Sequence, residues 1–423
     1  MRRPHVVIVG GGFGGLAAAK ALGKANADVT VIDRTNHHLF QPLLYQVATA
    51  GLSASDITAP IRHILRHQAN TTVLLAEVHD IDVEKSVVRI DYPRHDIAYD
   101  YLIVASGSRH AYFGHVEWEP NAPGLKAVED AAEVRRRFLL AFERAEKIED
   151  ESERQSYLTF VIVGGGPTGV ELSGSIPTIA RKALYPDFRH IDTRETRVIL
   201  LEGGPRVLPT FPESLSESAR QSLTDIGVEV RTNSIVTRVE ADAVYVGDER
   251  IPAQTIFWAA GNAASPLGKM LGVPIDRAGR VLVNPDLSIP GHPEVFVAGD
   301  LAYVERKDGR PVPGVCPAAM QEGTRAARNV RRLIGHRETK AFRYRNKGDL
   351  AVIGRSRAIA DFGKVRVTGR PAWLLWLFVH IMYLVGFRNR ITVFIQWAYS
   401  YLTFQRGVRL ITATERRPDG ANP

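Results

Sequence analysis

The sequence predicts an α/β protein with two Rossmann-like dinucleotide-binding domains and a C-terminal helical segment that associates with membranes. Three observations carry that expectation. A G-x-G-x-x-G loop follows an apolar strand at Gly10, Gly12 and Gly15. The same arrangement recurs at Gly164, Gly166 and Gly169. The tail then holds two apolar runs that contain three of the chain's five tryptophans.

A chain of 423 residues exceeds one ordinary core and fits two domains with room for an extra segment. Hydrophobic content of 45% and charged content of 24% are those of a folded protein. The formal net charge is +8, but Lys and Arg are spread without a basic block, so no nucleic-acid partner is expected. A single cysteine, Cys316, excludes an intrachain disulfide, a C-x-x-C redox pair, a cysteine-rich zinc site and a cysteine-ligated iron–sulfur cluster. Met1-Arg2-Arg3 superficially resembles the start of a signal peptide, yet the apolar run is only Val6 to Val9 before a glycine turn. It reads as a strand, and the chain is expected to stay in the cytoplasm.

Val6 to Val9 read as a buried parallel strand. In the loop that follows, Gly10 permits the tight turn, Gly12 lets the backbone approach a pyrophosphate, and Gly15, next to Gly14, lets helix and strand pack closely. Unpaired amides and the helix dipole receive the negative charge. An alanine-rich helix is expected from about Leu16. The strand Val29 to Ile32 ends at Asp33, about 20 residues after the loop, where a carboxylate bonds ribose hydroxyls. Asn36 to Ala48, including Gln41, mixes apolar, amide and aromatic residues without a period and suits a cofactor-lining segment. His37 and His38 are adjacent, so they point apart, and no Cys, Asp or Glu cluster joins them; no metal site is expected. Residues 72–92 read as strands with turns. Tyr99 to Ser108 is a strand ending in the small residues Ala105, Ser106 and Gly107. Leu125 to Glu153 reads as one charged, solvated helix leading into the second domain.

The second unit repeats the plan. Val161 to Val163 lead into Gly164, Gly166 and Gly169, and a further strand, Arg197 to Leu201, ends at Glu202. A carboxylate there accepts from a ribose 2′-hydroxyl and repels a 2′-phosphate, which favours NADH over NADPH, although Arg206 lies close by. Strands follow at 228–231, 235–240 and 243–246, and Thr255 to Gly261 is an apolar strand ending in small residues. From Val281 the chain is expected to return to the first domain, where Val295 to Ala298 deliver Asp300 to the crevice. A helix from about Pro317 to Leu333 begins with proline at its first position. The domains are therefore placed at 1–120 and 281–350 for the first, 121–280 for the second, and 351–423 for the tail.

In that tail, Ala372 to Val385 and Ile391 to Phe404 are apolar and aromatic but too short, at about 1.5 Å per residue, for a hydrocarbon core of roughly 30 Å. Flanked by Arg388, Arg390, Arg406 and Arg409, they suit a monotopic anchor through Trp373–Phe404. A homodimer interface is the alternative use of the same surface.

These motifs, with the Ala105-Ser106-Gly107 turn, the Trp258 to Gly261 turn and Ala298-Gly299-Asp300, resemble the two-dinucleotide-domain flavoproteins. Phe40 to Ala48 and Tyr383 to Arg390 are similar to type II NADH dehydrogenases, the single-subunit NADH:quinone oxidoreductases. The resemblance covers nearly the whole chain. It implies FAD at Gly10, Gly12, Gly14, Gly15 and Asp33 with Asp300 on its ribityl chain, and NADH at Gly164, Gly166, Gly169 and Glu202. It also implies transfer of a hydride to the flavin and of electrons to a membrane quinone, at the cytoplasmic face of the cell membrane and without proton pumping. Glu171 matches a family glutamate near nicotinamide and flavin, though an acid in a first helical turn also matches the helix dipole. Lys347 matches a basic residue near the flavin. At the family's quinone pocket Gln321 is kept, but Pro317 stands where an amide side chain is usual. Two other classes stay open on the residues alone: a reductase of a ferredoxin or of oxygen, and a membrane-tethered NADH-sensing module.

Overall fold

In a computed structural model the described residues are 2–91, 95–306, 308–385, 387–403 and 408–411, apart from the side chains of 387, 388 and 400–402. Gly386, Phe404, Arg406 and the Arg388 side chain therefore lie outside them.

Runs of β-branched and apolar residues form the strands, and the glycine loops start the helices. In chain order the elements that position the site are β1 (His5–Val9), α1 (Phe13–Leu22), β2 (Asp28–Asp33), β3 (Thr71–Leu75), β4 (Tyr101–Val104), α2 (Val128–Ala145), α3 (Glu151–Tyr157), β5 (Thr159–Val163) and α4 (Pro167–Thr178). They continue with β6 (Arg197–Leu201), β7 (Val228–Arg231), β8 (Thr255–Trp258), β9 (His292–Val297), α5 (Cys316–Ile334), α6 (Gly369–Tyr383) and α7 (Phe387–Thr403).

The chain forms two compact units. The first comprises the residues up to Leu39, Thr58–Arg109 and Asn262–Lys347; the second comprises Phe40–Ile57, His110–Gly261 and the chain from Gly348 onward. In the first, the strand order is Ser288–Ile289, β9, β4, β1, β2, β3, parallel except for the antiparallel Ser288–Ile289 edge. Both faces are covered, which is why β1 and β4 read as unbroken apolar runs. Val7, Ile8, Val31, Ile103 and Phe296 are wholly buried, each contributing about 1.5–3 kcal/mol relative to exposure. In the second unit the order β7-β6-β5-β8 is parallel throughout. Phe160 of β5 packs on Phe138 and Phe142 of α2 at ring separations of 5.4 and 5.5 Å. A three-stranded antiparallel sheet of Asp349–Gly354, Arg357–Asp361 and Arg366–Thr368 closes on α4.

Several boundaries differ from expectation. The charged stretch 125–153 is two helices, because Asp150 takes an extended backbone and its carboxylate accepts from Glu153 N–H at 2.7 Å, starting α3 afresh. Glu146, just beyond α2, is spent accepting the amides of Arg189 and His190 at 2.9 and 3.0 Å. Helix α1 begins inside the glycine loop at Phe13, since Gly12 already accepts from Leu16 N–H at 2.9 Å. Helix α5 opens at Cys316, which puts Pro317 second, where its missing amide hydrogen is equally unneeded. Among the described residues no helix is long and apolar enough to cross a membrane. The 15 residues of α6 and 17 of α7 extend roughly 23 and 26 Å.

Helices α1 and α5 touch backbone to backbone. A Cβ built on Gly323 would lie 2.0 Å from the Gly14 carbonyl oxygen, and neither helix end can yield locally. Gly323→Ala should therefore destabilise the first unit by about 2–3 kcal/mol through overpacking, seen as a lowered melting temperature of the flavin-loaded protein.

Candidate functional site

The two loops share one construction. At Gly10 and Gly164 the chain takes φ of +102° and +109°, turning it away from the strand end. A Cβ on Gly10 would sit 2.4 Å from the Ala105 oxygen, and one on Gly164 would sit 2.6 Å from Ala260 N. The next amide then points back to the acid at the end of the neighbouring strand. Gly11 N–H donates to Asp33 Oδ2 at 2.5 Å, and Gly165 N–H donates to Glu202 Oε2 at 2.6 Å. Asp33 Oδ1 also accepts from the amide and hydroxyl of Thr35, both at 2.7 Å, and Glu202 Oε1 accepts from Gly204 N–H at 2.6 Å. Both expected ribose acids are thus braces of their own loops as well, a use that spacing alone does not reveal.

Gly12 and Gly166 face open space, with nothing within 4 Å of a built Cβ, so the backbone there is free to meet a phosphate. A Cβ built on Gly14 would lie 3.4 Å from the Ala319 oxygen. Gly107 lies on the turn after β4, and the neighbouring Ser106 hydroxyl is a buried oxygen with no partner. Ser108 Oγ donates to Asp300 Oδ2 at 2.7 Å, which brings the β4 turn and the end of β9 together. An orphan hydroxyl, an open glycine cradle and a carboxylate at the strand ends fit a polyhydroxylated dinucleotide such as FAD.

His38 is 2% exposed; its ring meets the Gly11 carbonyl oxygen at 3.1 Å through Nδ1 and stands edge-on to Phe13. Burial lowers its pKa to about 4. His37 turns away to Asn36 Oδ1 at 3.0 Å. The pair supports the loop.

Sequence reasoning missed Glu322. It is 3% exposed on α5 and accepts from Gly299 N–H at 2.6 Å, holding the turn that carries Asp300. Burial pushes its pKa up to about 8, with the Asp300 charge adding to the rise. Its neighbour Gln321 uses its amide on the main chain: Nε2 donates to the Pro317 and Arg345 oxygens at 3.0 and 3.1 Å, and Oε1 accepts from Arg345 N–H at 3.1 Å. Lys347 is exposed two residues further on. Cys316 is half-buried, and desolvation raises its thiol to about 12, with the Asp300 charge adding to the rise.

In the second unit Gly169 closes the loop, and Gly261 ends the β8 turn. Glu171 lies on α4, half-buried, and burial raises its carboxyl well above the ordinary range. Gln41 is exposed on a 3-10 turn. The residues after it meet the tail: Trp376 is 1% exposed, stacks on His380 at 4.2 Å, and lies 6.4 and 5.6 Å from the rings of Tyr45 and Trp397. Trp397 Nε1 donates to Gln46 Oε1 at 2.7 Å. Outward, Leu374, Phe378 and Met382 form one stripe of α6, and Ile391, Phe394, Ile395 and Tyr399 form one of α7. Of the expected flanking arginines, Arg390 bonds the Leu384 oxygen at 2.8 Å and Arg409 pairs with Asp187.

Residues 4–323 match the family described as pyridine nucleotide-disulphide oxidoreductase, and residues 346–406 match the NDH2 C-terminal domain. The chain is 46% identical to the type II NADH:quinone oxidoreductase NdhA of Mycobacterium tuberculosis, over 97% of this chain and 90% of that protein. It is 44% identical to the Ndh enzyme of the same organism, over 97% and 91%. The solved NDH2 of Plasmodium falciparum in complex with NADH superposes with a TM-score of 0.85 at 21% identity, over 94% of this chain and 98% of that one.

Glu322 makes a pH-dependent contribution of definite sign. Folded, it keeps its proton to about pH 8; unfolded, it releases it near 4.5. The fold therefore loses stability from this group as pH rises from about 4.5 to about 8. Glu322→Gln keeps an oxygen for Gly299 and cannot titrate. Melting temperatures across that window should shift progressively in favour of the variant; a constant offset would refute the assignment.

Proposed function

We propose a division of labour among the residues of this chain, which belongs to the type II NADH:quinone oxidoreductases within the pyridine nucleotide-disulphide oxidoreductase family. The enzyme oxidises NADH through FAD and reduces a quinone, without pumping protons. The observation that carries the assignment of roles is the duplicated loop, each with an open glycine and an acid-braced turn, in a chain with one thiol.

FAD, when bound, supplies the two-electron chemistry between the hydride donor and the quinone. Gly10, Gly12, Gly14 and Gly15 with the first amides of α1 hold its pyrophosphate, and Asp33 holds its ribose. Ser106 and Asp300 take the remaining hydroxyls, with Gly107 leaving room. Gly164, Gly166 and Gly169 hold the pyrophosphate of NADH, Glu202 its adenine ribose, and Gly261 borders the far side. The amides at the start of α5 and the Lys347 cation stabilise negative charge that accumulates on reduction. Gln321 fastens the Arg345 backbone and so positions Lys347. Glu171, whose carboxyl is raised well above the ordinary range by desolvation, exchanges a proton on the acceptor side of the reaction.

The outer stripes of α6 and α7 lie against the cytoplasmic face of the membrane as a peripheral anchor, which is where a quinone is reached. A second copy of the chain would cover the same stripes in a homodimer, and the tail experiment below separates the two.

Purified, flavin-loaded protein should oxidise NADH with a rate that rises on adding short-chain ubiquinone or menaquinone analogues, and should use NADPH poorly. A rate indifferent to both quinones would sink the reading.

For the tail, Phe378→Glu combined with Phe394→Glu should lower co-sedimentation with anionic phospholipid vesicles at least about tenfold, leaving oxidation of NADH by a water-soluble quinone within about twofold. Unchanged co-sedimentation, with a fall in mass by light scattering, would assign the stripes to a homodimer instead.

A further inference from the structure

We propose that Phe113 is the aromatic platform on which the nicotinamide end of the bound dinucleotide rests, an inference that depends on the Gly164 loop taking NADH. In a parallel sheet of this kind the dinucleotide crosses the carboxyl ends of the strands where their order reverses. Strand β5 is that point, with β6 on one side and β8 on the other. Glu202 at the end of β6 takes the adenosine half, so the nicotinamide half leaves over the end of β8.

The residues there are contiguous with the loop. A Cβ on Gly164 would meet Ala260 N at 2.6 Å, and a Cβ on the next residue along β8, Gly261, would meet Phe113 Cζ at 2.5 Å. Gly261 is thus the seat of the Phe113 ring. Phe113 itself is held at φ of +53°, in the left-handed region that a bulky side chain rarely enters, and it is 70% exposed. Strain of this kind persists only where the surroundings over-determine it. Here the surroundings are Trp258, whose Nε1 donates to the Ala111 oxygen at 3.0 Å, and Tyr112, which stacks on Trp258 at 5.2 Å and donates to the Ala122 oxygen at 2.9 Å. Trp118, 5.5 Å from Trp258, completes the block. Three buried aromatic rings bolt the turn to the strand end and leave one ring outside, beside the dinucleotide crevice. A planar pyridine ring is the part of the ligand that an exposed aromatic face binds best.

The test uses the flavin-loaded protein and two ligands: NAD⁺, and ADP-ribose, which lacks the nicotinamide. Phe113→Ala and Phe113→Gly, the latter also relieving the backbone, should weaken NAD⁺ binding in calorimetry and raise the KM for NADH by about tenfold, the scale of one stacked base. ADP-ribose affinity should stay within error for both variants, neither should melt lower than the parent by more than error, and Phe113→Tyr should retain NAD⁺ affinity. Unchanged NAD⁺ affinity overturns the proposal. A parallel loss of NAD⁺ and ADP-ribose also overturns it, making the turn a support for the strand. A parent protein that binds neither ligand overturns both the proposal and the reading of the Gly164 loop beneath it.

Discussion

Each glycine loop depends on a helix crossing the end of its strand with no side chain between them. A Cβ on Gly15 would lie 1.7 Å from the Gly10 oxygen, and one on Gly169 would lie 1.8 Å from the Gly164 oxygen, distances that no rotamer relieves. This contact brings the first amides of α1 and α4 to the edge of the sheet, where they have no partner within the helix. It also sets the loop amide against the acid of the next strand. Unpartnered amides at the sheet edge and loop bracing are therefore consequences of one steric condition, met twice in the chain.

The acids divide by environment. Asp33 and Glu202, at strand ends, each accept two or more hydrogen bonds from their own loops. Desolvation raises the carboxyls of both Glu322 and Glu171, that of Glu322 to about 8. Glu322 is 3% exposed and its Oε2 accepts from Gly299 N–H, whereas Glu171 is half-buried. The two raised carboxyls thus differ in exposure, and Glu322 is committed to a bond within the fold.

The strands, loops and terminal acids were legible because a parallel sheet covered on both faces needs continuous apolar runs, and because the loop's steric demands admit only glycine. What could not be read was partner choice over long separations. Gln321 and Arg345 meet across 24 residues, and Ser108 meets Asp300 across 192, so no spacing announces either bond. The break between α2 and α3 was hidden for a different reason: Asp150 competes locally with a helix that its neighbours' charge pattern favours, and capping wins. Phe113 was equally unreadable, since its left-handed backbone sits beside a block that Trp258, Tyr112 and Trp118 assemble from separate stretches of the chain.

The route of the electrons follows from what the chain can store. A disulfide relay needs two thiols, and the sequence has one, Cys316, half-buried with its thiol raised by desolvation to about 12 and so protonated at neutral pH. Reducing equivalents taken from NADH must then leave the flavin directly, which requires an acceptor that can approach the ring itself. A quinone is apolar and dwells in the membrane, so the protein needs an apolar surface there without a hydrocarbon span. On α6 Trp376 and Ala372 face inward while Leu374, Phe378 and Met382 face outward, the apolar surface that the proposed peripheral attachment would use. Trp397 of α7 is bonded to Gln46, in the segment after Phe40, so the two tail helices are fastened to the second unit and such a surface would be held in place.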